Sequence, residues 1–331
     1  MSRMTSLLMT AGVFCLGYLL CVYQFPSFLS LRVVANLFND NAFLGITAVG
    51  MTFVIIAGGI DLSVGSVIGF TTVFVAVAIS QWGWPPFMAF AVVLALCALF
   101  GAAMGWLIHR VEIPAFIVTL AGLFLARGGA FLVSTQSVPI ETPFYADLPA
   151  HALMLPGGGR LSVSAMIMIA VFVIAGIVLH RTRFGANVYA LGGDRQSAAL
   201  MGVPIGRTTI AIYTISSLLA GLAGIVFSFY TSAGYSLSAV GVELDTIAAV
   251  VIGGTLLSGG HGLMAGTLLG VMIQGLIQTY IVFDGTLSSW WAKIVIGGLL
   301  FAFIAIQQIL VWVAAYRRQR LPAAALQGRH P

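Results

Sequence analysis

Charge is what this sequence has least of. Only 7% of its 331 residues are Asp, Glu, Lys or Arg, against 60% hydrophobic, whereas soluble domains carry about 25% charged residues. So little charge cannot cover a surface facing water, which excludes an ordinary soluble domain and makes the bilayer the solvent. Lysine is rarer still. The one lysine, Lys293, follows "SSWWA". A phosphate-cradling loop needs Gly-Lys-Ser/Thr, so the chain carries no such loop, and any ATP that drives it is hydrolysed by another chain. The apolar runs also lack the arrays of carboxylates that proton-coupled pumps use. Sodium coupling through backbone carbonyls stays open.

Cysteine and histidine exclude further classes. Cys15, Cys21 and Cys97 all fall inside apolar runs, with neither metal-ligand spacing nor a disulfide framework. They read as small buried apolar residues. His109, His151, His180, His261 and His330 are scattered through loops and termini. None forms a His-Glu-x-x-His or Ser-His-Asp pattern, so a membrane-embedded enzyme is the weakest reading. The net charge of +5 comes from residues lying between apolar runs. They form no basic face with aromatic interleaving, so nucleic acid is not an expected partner.

What is present is a series of apolar windows of about 20 residues. They predict about ten spans, near 5–23, 42–60, 64–81, 86–108, 113–133, 162–179, 209–231, 244–258, 263–283 and 291–314. The eighth is short and glycine-rich. The first follows Arg3 and is followed by no small-residue cleavage site, so it reads as a retained helix. With the N-terminus inside, the inner segments collect Arg3, Arg110, Arg181, Arg183, Arg195, Arg207, Arg317, Arg318, Arg320 and Arg329. The outer segments collect Asp40, Glu141, Asp147, Glu243, Asp245 and Asp284, with Arg32 and Arg160 as exceptions. Positive charge on the inside is the expected bias, so both termini are expected to be cytoplasmic. The expected organisation is one transmembrane domain over 1–331. It has a proline-rich outer loop at 134–161, a polar inner loop at 180–208 and a cytoplasmic tail at 317–331.

One stretch, "VIIAGGIDLSVGSVIGF" at 54–70, sets a lone acid between apolar runs. Such a carboxylate is costly near lipid. Gly58 and Gly59 allow a sharp turn or close helix approach, and Asp61 and Ser63 are N-cap residue types. The stretch therefore reads as one helix ending and another beginning. Asp61 is either a cap or a polar element of a permeation path or gate, and both can hold. "GGIDLSVG" at 58–65 and "GGTLLSGG" at 253–260 agree at five of eight positions, the pattern expected of an internal repeat with broken helices. The second copy lacks the acid.

Other polar groups in apolar runs are Thr119, Arg127, Ser216, Ser217, Gln274, Gln278 and Lys293. Arg127 is expected to snorkel outward. Gln274 and Gln278, four apart, share a helix face and either tie helices together or bind a sugar hydroxyl. Trp290 and Trp291 fit an interfacial belt.

"AGGIDLSVGSVIGF", "RTRFGANVYALGGDRQSAALMGV" and "VELDTIAAVVIGGTLLSGG" resemble, in order and over nearly the whole chain, the membrane permeases of bacterial ABC sugar importers of the ribose/galactose/xylose group. "NDNAFLGITAVGMTFVI", "QGLIQTYI" and "FDGTLSSWW" look most like the galactofuranose members. The resemblance implies an all-α polytopic permease in the bacterial inner membrane, importing a sugar, galactofuranose first. It implies three partners besides lipid: a cytoplasmic ABC ATPase that uses the ATP, a second and related permease subunit, and a periplasmic sugar-binding protein. It implies no cofactor on this chain. The segment "GGDRQSAALMGV" would couple to the ATPase through Ala198, Ala199, Leu200 and Gly202. The rival reading is a self-contained carrier or channel.

Overall fold

The computed structural model describes residues 3–288 and 290–319. The rest of the expected tail, with Arg320 and Arg329, lies outside the described residues. In chain order the helices are α1 Arg3–Gln24, α2 Leu31–Asp40, α3 Ala42–Ile56, α4 Val64–Ser80, α5 Pro86–Arg110, α6 Ala115–Val133, α7 Pro143–Asp147, α8 Val163–Arg181, α9 Arg183–Gly193, α10 Arg195–Leu200, α11 Ile205–Thr231, α12 Val242–Ile252, α13 Met264–Asp284 and α14 Trp290–Gln319. Four two-residue strands, β1 Val138–Pro139, β2 Leu153–Met154, β3 Arg160–Leu161 and β4 Ala233–Gly234, pair antiparallel as β1 with β4 and β2 with β3. The protein is an all-α polytopic membrane protein.

The expected count of about ten spans is not met. Six helices among the described residues are long and apolar enough to cross: Ser6–Gln24 within α1, α5, α6, α8, α11 and α13. Counting α2 and α3 as one span, bent by 56° at a break, makes seven. The window at 64–81 corresponds to the shorter apolar helix Val64–Ser80, and the window at 291–314 falls within the longer α14, Trp290–Gln319. The window at 244–258 holds only the 11-residue α12. Hydropathy averages over a helix end and cannot see it. Eleven residues rise roughly 16 Å, about half of a hydrocarbon core of about 30 Å.

The innermost helices are α3 and α4. Every residue of α3 except Phe43 is buried, and in α4 only Phe70 and Ser80 are not. A helix apolar all round belongs in an interior. Around these two pack α5, α6, α8, α11, α12 and α13, with α11 against α5 as the most extensive contact. Within α3, Thr47 returns its hydroxyl to the Phe43 carbonyl and Thr52 to the Ala48 carbonyl, one turn back, so neither hydroxyl is left unpaired. Thr52 also meets Thr267 of α13 at 2.8 Å. Lys293 of α14 donates to Asp245 of α12 at 2.7 Å, holding the last helix to the short one.

The α5–α11 contact depends on Gly101. A Cβ there would overlap the Tyr213 carbonyl and lie 2.7 Å from Ser217 Cβ. Overpacking of this kind costs about 1–3 kcal/mol or more. Gly101→Ala is therefore expected to reduce the monodisperse fraction after detergent extraction, read by size-exclusion chromatography. Gly128→Ala, where a Cβ meets nothing within 4 Å, should leave it unchanged. Equal yields from both would show that α5 and α11 do not approach this closely.

Candidate functional site

The helix break after α3 is built from hydrogen bonds that its sequence dictates. α3 ends at Ile56, and Gly58 takes the left-handed conformation, φ +81°. Gly58 N–H donates to the Ile55 carbonyl and Gly59 N–H to the Val54 carbonyl, the paired closure that glycine permits at a helix C-terminus. The second break is its counterpart. Gly254 has φ +89°, its N–H donates to the Val251 carbonyl, and Thr255 N–H donates to the Val250 carbonyl. The two breaks correspond, but one residue out of the sequence register. Gly58 matches Gly254 rather than Gly253.

Asp61 lies in the extended turn before α4 and is fully buried. One carboxylate oxygen accepts from the Ser63 amide at 3.0 Å and the Ser63 hydroxyl at 2.6 Å. The other accepts from the Ser216 hydroxyl on α11 at 2.7 Å. Three donors hold it, none of them a basic side chain. Ser63 occupies the N-cap position of α4 without a side-chain capping bond. The cap expectation therefore changes in form: Asp61 takes the amide of the capping residue, and its other oxygen reaches a different helix. Thr119 of α6 donates to the Ile60 carbonyl at 3.4 Å as well as to Ala115 at 2.9 Å. The break is thus enclosed by α6 and α11.

A cavity of about 620 Å³ opens beside the break. Its lining includes Gly58, Gly59, Glu112, Asp194, Arg195 and Tyr213. Tyr213 was not singled out from the sequence. It precedes Ser216 by three residues on α11, so both project toward the break, and its hydroxyl sits where a side chain on Gly59 would have to go. The polar spacing of Tyr213 and Ser216 is the signal that could have found it. Near the opposite end of α11, a second cavity of about 330 Å³ is lined by Asn39, Tyr145, Arg160, Ser164, Phe229 and Tyr230 among others. Tyr145 bonds Ser228 at 2.9 Å, and burial pushes its hydroxyl up to a pKa of about 12, so it stays protonated near neutrality.

The remaining expected residues are not gathered here. Gln274 is buried and donates to the Asp245 carbonyl at 2.8 Å, so it ties α13 to α12. Gln278, on the same face by spacing, is exposed. Arg127 does not snorkel. Its guanidinium donates to the Ser236 and Ser238 carbonyls, pairing backbone in the irregular stretch before α12. The segment "GGDRQSAALMGV" forms the end of α9, then α10. Asp194 caps α10, accepting from the Ser197 amide at 2.6 Å, and that bond holds its carboxyl below the usual carboxylate range. Of the four expected coupling residues, Ala199, Leu200 and Gly202 are exposed while Ala198 is buried. Leu200 is 90% exposed and Met201 72%. Among the described residues no group of three or more His, Cys, Asp or Glu side chains is placed to hold a metal.

Comparison with known proteins gives a consistent assignment. Residues 33–304 match the family described as branched-chain amino acid transport system / permease component. The chain is 62% identical over 306 residues to the inner membrane ABC transporter permease protein YjfF of Escherichia coli (strain K12), covering 92% of each. It is 34% identical to the fructose import permease protein FruG of Bifidobacterium longum (strain NCC 2705), covering 96% of this chain and 94% of that one. It is 37% identical to the ribose import permease protein RbsC of Escherichia coli (strain K12), covering 82% and 84%.

Hydrogen bonds to a charged group contribute about 1.5–3 kcal/mol each. Asp61→Ala should lower the apparent melting temperature in detergent, and Ser216→Ala should lower it less. The double variant should melt no lower than Asp61→Ala alone, because the second change removes a donor already stranded. Fully additive losses would show that Ser216 does not hold Asp61.

Proposed function

Because this chain belongs to the branched-chain amino acid transport system / permease component family, and is a transport permease rather than an enzyme, we propose that it is one membrane-spanning subunit of an ATP-driven sugar importer. In this reading a separate ABC ATPase docks on α9–α10, a second and related permease subunit completes the path, and a periplasmic binding protein delivers the sugar. The chain would sit in the bacterial inner membrane, both termini in the cytoplasm, with 134–161 outside and 180–208 inside.

One observation carries the proposal. A six-residue helix, α10, stands at the end of the chain's longest polar inner loop and holds out Leu200 and Met201. Exposed apolar side chains on a capped helix, flanked by the arginines of the loop, fit a contact with another protein. The absence of a phosphate-binding lysine motif fits an ATPase on a separate chain.

Sugar is favoured as cargo over an amino acid. Two of the relatives named above are import permeases for ribose and fructose, although the family description names branched-chain amino acids. Galactofuranose is the first candidate, on the likeness of the segments around Asn41, Gln274 and Trp290. The cavity containing Tyr145, Phe229 and Tyr230 offers aromatic faces beside hydroxyl and amide groups, the surfaces a neutral sugar uses. Asp61 is read as a gate element whose release from Ser216 accompanies movement of the break. No cofactor is assigned to this chain; ATP belongs to the partner.

Reconstitution tests the proposal. Proteoliposomes holding the two permeases, the ATPase and the binding protein should accumulate galactofuranose only when ATP is present. Leu200→Asp should lower ATPase co-purification and uptake about tenfold or more, as expected when an apolar anchor at an interface is lost. Sugar flux through the chain alone would favour the self-contained carrier and contradict the importer.

A further inference from the structure

Three glycine pairs from separate parts of the chain meet beside the cavity. They are Gly58-Gly59 after α3, Gly192-Gly193 at the end of α9, and Gly259-Gly260 in the loop before α13. The contact is main chain against main chain. Gly260 N–H donates to the carbonyl of Ile56, the last residue of α3, at 2.8 Å. A Cβ on Gly192 would overlap that same oxygen and lie 2.7 Å from Gly260 N. A Cβ on Gly259 would lie 2.7 Å from the Gly192 carbonyl oxygen and 3.0 Å from Gly58 Cα, and Gly259 and Gly260 both hold positive φ, +85° and +73°. α9 is also fastened to this loop by a side chain, since the Tyr189 hydroxyl donates to the Gly262 carbonyl at 2.7 Å.

We propose that Gly192 and Tyr189 are positioning residues for transport, linking the docking segment to both helix breaks; this rests on the importer reading. A side-chain contact absorbs a small displacement by changing rotamer. A backbone contact without side chains cannot, so a shift of α9 must move the end of α3 and the loop before α13 with it. Asp61 lies five residues beyond Ile56, in the turn that would move. A push on α10 then reaches the break through α9, with no need for α10 to touch it.

The test counts sugar imported and ATP hydrolysed together in the assembled importer. Wild type must first show ATP-dependent uptake; if it does not, the importer reading fails and the junction is not what failed. Given that uptake, Gly192→Ala is expected to lower sugar moved per ATP about tenfold or more while ATP hydrolysis continues, the signature of lost coupling rather than lost folding. Tyr189→Phe removes only the hydroxyl and should lower the same ratio about threefold. Gly176→Ala in α8, where a Cβ meets nothing within 4 Å, should keep the wild-type ratio. If Gly192→Ala does not assemble, Tyr189→Phe decides. A wild-type ratio in Tyr189→Phe overturns the proposal, as does a wild-type ratio in an assembled Gly192→Ala.

Discussion

A helix that stops within a membrane must hand its last carbonyls and first amides to protein, because lipid offers them no partner. This chain ends two buried helices, α3 at Ile56 and α12 at Ile252, and the surrounding structure answers the same requirement. Glycine in the left-handed conformation closes each end on its own carbonyls. Beyond the first end, Asp61 accepts the free amide of Ser63 and reaches across to α11. In the irregular stretch before α12, Arg127 serves the carbonyls of Ser236 and Ser238. One acid and one base, each costly alone in lipid, are kept because irregular backbone lies beside them.

The same constraint explains where motion can enter. Most of the molecule is helix packed on helix, which moves as rigid bodies. The breaks are held instead by a few hydrogen bonds and by glycine contacts of small area. α9 rests on that ground, and α10 after it presents Leu200, beside Met201, to whatever lies outside. The importer proposed above needs this combination: a firm outer frame, an inner break that can be shifted, and a handle joined to it.

Much of this was legible in the sequence. The scarcity of charge gave the membrane, and "GGID" gave a helix end with a buried acid. Three things were not. The number of spans was overestimated because a hydropathy window spreads over an end such as Ile252 and does not separate shorter helices such as α4 and α12 from full crossings. The register of the two breaks was off by one because matching letters favoured Gly253, whereas hydrogen bonding selects Gly254. The role of Arg127 was missed because its acceptors are backbone carbonyls about 110 positions away, and main-chain groups leave no mark in a sequence. Tyr213 and Ser216 were visible as residues, but their shared direction acquires meaning only once α11 is seen to pass the Asp61 turn.

Amide hydrogen exchange across residues 57–63 tests the central claim most directly, measured in the assembled importer at rest and during ATP turnover. The prediction is protection at rest and a rise in exchange confined to this break and the loop at 254–262 during turnover. Unchanged exchange in both segments while sugar is being imported would contradict the view that the buried-acid break is the part that moves.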